Sequence, residues 1–125
     1  MAILEMHADC GNAPKKNFIR DVNLAFVEEN VDYLLEHTAE DIVWTMTGTQ
    51  PITGKAAFRA ELERMHGNPV TKLTLDTILT HGREAAARGR LEFADGSTYA
   101  FADFYLFTGA KGDRIRAITT YLVKL

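Results

Sequence analysis

A chain of 125 residues, 46% hydrophobic and 25% charged, can bury one core without staples, and its net charge of -3, with Lys and Arg scattered singly, gives a nucleic-acid backbone no basic stripe. No apolar run approaches a membrane span, and the opening segment Ile3 to His7 lacks the basic start and long apolar run of a secretory signal. Cys10 has no second cysteine to pair with and no Cys or His at metal-ligand spacing beside it, so a reducing, cytoplasmic setting is expected, and no metal or cofactor site is.

Pro14 suits a first helical turn, and the spacing of Phe18, Val22, Ala25 and Phe26 predicts a helix over about Lys15 to Glu29 with one apolar stripe. Asn30 then caps a short second helix that turns Val31, Leu34 and Leu35 inward and ends before Ala39. Ile42 to Thr47 is β-rich and halts at Gly48, which makes a first strand. Thr53 is the expected N-cap of a third helix, Gly54 to His66, with Phe58, Leu62 and Met65 on one face and Gly67-Asn68-Pro69 as its stop.

From Val70 the period changes to two: Leu73, Leu75 and Leu79 alternate with Lys72, Thr74 and Asp76 up to His81-Gly82. Ala85 to Phe93 and Ser97 to Phe107 flank Asp95-Gly96, a strong hairpin signal because both residues tolerate positive φ. A turn over residues 109–113 leads into a last strand, Arg114 to Leu125. The order ααβαββββ, without repeat or linker, predicts one α+β domain spanning residues 1–125, with three helices of the N-terminal half packed on a curved, mostly antiparallel sheet. Long strands bent around one helix layer leave a hollow between the layers, and a small-molecule ligand is expected there.

The order of elements, the Gly48-Thr49-Gln50-Pro51-Ile52-Thr53-Gly54 turn before the third helix, and Asp103-Phe104-Tyr105-Leu106-Phe107 running on to Ile115 resemble the nuclear transport factor 2-like superfamily, in particular its SnoaL-like domains. The resemblance, from Pro14 to Val123, implies a cone-shaped fold shared by isomerases, cyclases, epoxide hydrolases and non-catalytic binding domains, and so specifies fold better than activity. Against ketosteroid isomerase, it places Asp103 where that enzyme has the aspartate of its oxyanion hole, but the base position falls at Thr45 or Met46 and the helix-one tyrosine is replaced near Val22. Neither Thr nor Met abstracts a proton near neutral pH, so that chemistry is not expected. The limonene-type epoxide hydrolases imply an Asp, Arg, Asp set instead, which directs attention to what faces Asp103.

A two-residue Asp95-Gly96 turn would set Arg88 directly opposite Asp103 on one face, with Tyr105 two residues along, and leave an apolar face of Ala87, Leu91, Ala102 and Phe104 behind. Arg88 would hold the carboxylate ionised, and Tyr105 could donate to a ligand oxygen. An extra residue in the turn would flip that register, since a slip of one exchanges the faces. Trp44 and Met46 on the first strand, with Ile118 and Thr120 on the last, are the expected ligand-binding wall, core packing being the alternative. The histidines, His7, His37, His66 and His81, stand apart with no ligand spacing, and no Ser-His-Asp order or phosphate loop occurs. Three readings stay open: acid-base or water-activating chemistry through Asp103, Arg88 and Tyr105; ligand binding alone; and a homodimer formed through the outer sheet face.

Overall fold

The computed structural model describes residues 2–11, 13–109 and 113–125. Along the chain run β1 (Ile3–Met6), α1 (Pro14–Val27), α2 (Val31–Glu36), β2 (Thr38–Met46), β3 (Ile52–Thr53), α3 (Lys55–Arg64), β4 (Val70–His81), β5 (Glu84–Phe93), β6 (Thr98–Phe107) and β7 (Ile115–Lys124). They form one seven-stranded sheet in the order β1-β4-β5-β6-β7-β2-β3, with the helices against its inner face. The α+β architecture and its three helices are as the patterning predicts. Two short strands are additional: β1 adds in parallel to β4, and β3 pairs antiparallel with β2. The turn expected over 109–113 lies partly outside the described residues.

Local chemistry explains the boundaries. Pro14 opens α1, and Asn30 caps α2 by accepting from the Tyr33 N–H at 3.2 Å. Helix α2 ends before Ala39 as expected, the Thr38 hydroxyl donating back to the Leu34 carbonyl at 2.9 Å, and the chain goes straight into β2, four residues before the expected start at Ile42. Thr53 does not cap α3. It belongs to β3, and Gly54, at φ 90°, occupies the cap while its N–H donates to the Ile42 carbonyl at 2.7 Å.

Two of the sheet's irregularities bear on the site. The pairing of β4 with β5 shifts between Leu75 and Thr77, so Asp76 is an extra residue on β4. This β-bulge reverses the alternation beyond it, burying Ile78 and exposing Leu79, which the period-two pattern placed inward. Gly89 is the partner of Leu75 there; a Cβ on it would lie 1.8 Å from the Thr74 carbonyl oxygen, so only glycine permits the approach that bends the sheet. The concave face buries Leu73, Leu75, Phe107 and Ile115 against Ile19, Val22, Leu34 and Phe58 from the helices, each contributing about 1.5–3 kcal/mol of hydrophobic stabilisation.

The second irregularity is the β5–β6 turn. The Phe93 N–H donates to Ser97 O and the Gly96 N–H to Phe93 O, so the loop is Ala94-Asp95-Gly96, three residues with Gly96 at φ 90°. Asp95 secures it by accepting from the Ser97 N–H at 2.8 Å. The third loop residue moves the register by one place: Ala87 pairs with Asp103, and Arg88 with Ala102. The expected Arg88–Asp103 pair therefore does not form. Arg88 is exposed on the outer face, while Asp103 turns inward with Phe101 and Tyr105.

Candidate functional site

The hollow between the helices and the concave face is a cavity of about 150 Å³, walled by Trp44, Phe26, Leu34, Phe101, Ile118 and Met46. Its walls come from α1, α2 and α3 and from the strands that meet below them, β2, β4, β5, β6 and β7. The parallel pairing of β2 with β7 sets Trp44 beside Ile118 and Met46 beside Thr120, and the antiparallel pairing of β6 with β7 sets Asp103 against Thr120. Trp44 is fixed from behind by ring contacts with Phe26 at 5.6 Å and Phe58 at 5.7 Å.

Asn23, Asp103 and Thr120 bring polar atoms to this apolar space, while Glu29, His66 and Asn68 stand at its exposed rim. Glu29 adopts the left-handed conformation, φ 59°, just past the end of α1, and its carboxylate lies 3.6 Å from the His66 imidazole of the segment after α3. Deeper in, Asp103 is only 8% exposed. Its Oδ2 accepts from the Tyr105 hydroxyl at 3.0 Å, the Tyr105 oxygen accepts from Asn23 Nδ2 at 2.9 Å, and the same amide nitrogen donates to the Ile19 carbonyl at 2.9 Å. Asp103 Oδ1 is buried and has no hydrogen-bond partner among the described residues.

Burial pushes the Asp103 carboxyl up to about 6; the neighbouring Thr120 hydroxyl, close enough to favour the charge but outside hydrogen-bond geometry to Oδ1, and the Tyr105 hydroxyl hold it from rising further. Tyr105 is pushed well above its ordinary value, first by burial and then by the Asp103 charge, so the phenol keeps its proton and acts as a donor. Near neutral pH Asp103 is thus mainly ionised, with an accessible protonated form, and among the described residues no Arg or Lys lines the cavity to neutralise it.

Of the residues singled out in the sequence, Asp103, Trp44, Met46, Ile118 and Thr120 all line this cavity, and Tyr105 lies behind Asp103 as its hydrogen-bond donor. Arg88 is absent from it. Asn23 was not singled out, although it carries a signal: an amide four residues after Ile19 and three before Phe26, inside the stripe that packs on the sheet. Its place near Val22 is the one where the resemblance registered only a missing tyrosine. No set of three or more His, Cys, Asp or Glu side chains that could hold a metal comes together among the described residues, and no described helix is long and apolar enough to cross a membrane.

The family model for the SnoaL-like domain matches residues 19–118, from the helix that carries Asn23 to the strand that carries Ile118. The chain belongs to the SnoaL-like domain family. Solved structures agree on the fold of this SnoaL-like domain. A candidate SnoaL-like polyketide cyclase from Shewanella putrefaciens CN-32 superposes with a TM-score of 0.77 at 11% identity, over 90% of this chain and 92% of that one. An LEH-like epoxide hydrolase from M. tuberculosis gives 0.72 at 16% identity, over 86% and 81%. An NTF2-like protein of unknown function from Cytophaga hutchinsonii gives 0.64 at 22% identity, over 87% and 99%. No curated protein sequence matches the SnoaL-like chain significantly.

Proposed function

We propose that this SnoaL-like domain binds a small, largely apolar molecule in the cavity, with its polar group against Asp103, and that Asp103 exchanges a proton with that group. The observation that carries the reading is the buried Oδ1 of Asp103, unpartnered at an apolar cavity. A carboxylate oxygen left without a partner costs a fold about 1–3 kcal/mol or more, so its retention in a cleft, titrating near 6, fits an acid-base group better than a structural one. The exposed position of Arg88 removes the arginine of an Asp, Arg, Asp set, and with it the support for water activation of the epoxide-hydrolase kind. The cyclase and hydrolase names of the structural neighbours belong to those proteins; they are consistent with small-molecule chemistry on this fold.

The test is a thermal-shift screen of small apolar alcohols, ketones and phenols on the wild type and on Asp103→Asn. Hits that stabilise the wild type and lose at least about tenfold in affinity in Asp103→Asn support the reading. Hits indifferent to Asp103, or a complete lack of hits, overturn it.

A second reading, self-association of the chain, is favoured by the outer face, where Phe104 (53% exposed), Tyr121 (46%) and Val123 (60%) stand together beside Arg88 and Arg90. It does not compete with the cavity, which opens on the other side of the sheet. Sedimentation velocity that finds only monomer at micromolar concentration sinks it. The unpaired thiol of Cys10 accords with a reducing, cytoplasmic compartment.

A further inference from the structure

The directions of the hydrogen bonds at the polar end of the cavity are fixed by what each group can do. The Ile19 carbonyl only accepts, so the Asn23 amide nitrogen faces it, and the second N–H of that nitrogen goes to the Tyr105 oxygen. The phenol therefore accepts there and has one proton left, which lies on Asp103 Oδ2. Oδ2 thus already holds one donor, and Oδ1 is the carboxylate oxygen that holds none.

The same reasoning applies across the strand pair. The Trp44 indole N–H can only donate, and it reaches Thr120 Oγ1 at 3.0 Å. Thr120 thus accepts from the tryptophan, and its own proton is left to the Asp103 side, where it favours the charge without reaching hydrogen-bond geometry to Oδ1. Asp103 and Thr120 are direct partners in the β6–β7 register, both buried and both lining the cavity. An acceptor that holds no donor and a hydroxyl proton just short of it therefore stand side by side.

We infer that Asp103 Oδ1 and Thr120 Oγ1 form a two-point clasp for a ligand hydroxyl group, an alcohol or phenol on an apolar body, with Trp44 and Tyr105 as the positioning residues that set the clasp's polarity. A hydroxyl donates and accepts through one atom, which suits an acceptor and a donor carried on paired residues of one cavity wall. A ketone offers lone pairs to the carboxylate and is repelled. An ammonium satisfies Oδ1 but leaves the Thr120 proton unused. A second carboxylate meets the first at close range. The inference rests on the reading that the cavity holds a ligand.

The experiment compares 2-naphthol with 2-methoxynaphthalene, which share a ring system and differ in whether the oxygen can donate. Dissociation constants are measured by fluorescence at pH 8, above the Asp103 titration near 6. The wild type should bind 2-naphthol roughly tenfold or more tighter, the discrimination of a hydrogen bond to a charged group. Thr120→Val should cut that ratio several-fold, Thr120→Ser should restore it, and Asp103→Asn, which puts an N–H donor in place of Oδ1, should abolish it. A merely structural Thr120 would weaken both probes together and leave the ratio unchanged, which would refute the clasp. Should Thr120→Val not fold, the wild-type ratio and Asp103→Asn decide alone. Equal binding of the two probes overturns the clasp and leaves the pocket standing, whereas binding of neither overturns the pocket reading itself.

Discussion

Replacing Asp103 with asparagine isolates the cost of the buried carboxylate. The group titrates near 6 in the folded chain against an ordinary value of 3.8, so the folded state holds the proton more tightly than the unfolded state does. Between pH 4 and 6 the unfolded chain releases its proton first, and stability falls as pH rises through that window; above about 6 the loss is complete. A difference of this size corresponds to about 3 kcal/mol at neutral pH, of the order of 10 °C in Tm for a domain of this length. The asparagine side chain would keep the Tyr105 hydroxyl bonded through its oxygen and present an N–H where the protonated acid presents an O–H, so it mimics the neutral form. Asp103→Asn should therefore match the wild type near pH 4 and exceed it by about 3 kcal/mol at pH 7–8. Urea denaturation of both proteins across pH 4–8 gives the difference directly, because the other titrating groups, including the salt-bridged Glu5 and Glu61, cancel between them. If the two stability curves run parallel from pH 4 to 7, Asp103 does not titrate from a raised value and the argument fails.

Tyr105→Phe removes the donor on Oδ2 and should move the Asp103 midpoint above 6, as read from its carboxyl carbon by NMR; a lower midpoint would contradict the hydrogen-bond direction. Arg88→Ala should change stability by less than about 0.5 kcal/mol and leave probe binding intact, and a tenfold loss of affinity would place the guanidinium in the cavity after all. Gly89→Ala should cost more than about 2 kcal/mol in urea denaturation, since its methyl meets backbone rather than a side chain that can move; a neutral result would mean that β4 and β5 do not approach as described.

Much of the fold was legible because the helices and long strands carry their periods in full. The stripe of α1, the Asn30 cap and the alternation from Val70 onward each point to the elements found. What was lost is local. Strand β1 is four residues long and lies far from β4 in sequence, and β3 is two residues held by pairing with β2, so neither has a period to read. The bulge at Asp76 leaves no mark in composition, yet it reverses the sides of Ile78 and Leu79. For the candidate site, Asp103, Thr120 and the apolar wall were singled out by laying the strands on those the resemblance implies, but Arg88 was set beside Asp103 by assuming that Asp-Gly makes a two-residue turn. Sequence does not say whether Ala94 belongs to the strand or to the loop; the hydrogen bond from Gly96 N–H to Phe93 O does. Asn23 went unnoticed because one amide within a helical stripe gains meaning only when Tyr105, 82 residues away, arrives beside it.

That three-residue loop also limits how the chain can change length. Strand pleating has a parity, so removing or adding one residue between Phe93 and Ser97 leaves two outcomes: the turn strains, or one strand of the hairpin rolls over relative to the other. If β5 rolled, Arg88 and Arg90 would go beneath the helices and Ala85 and Ala87 out into solvent. If β6 rolled, Asp103, Phe101 and Tyr105 would leave the concave face, and Ala102 and Phe104 would take their places. Related sequences should therefore vary the length of this loop by even numbers, and an odd-length variant that still folds should carry a compensating bulge in β5 or β6.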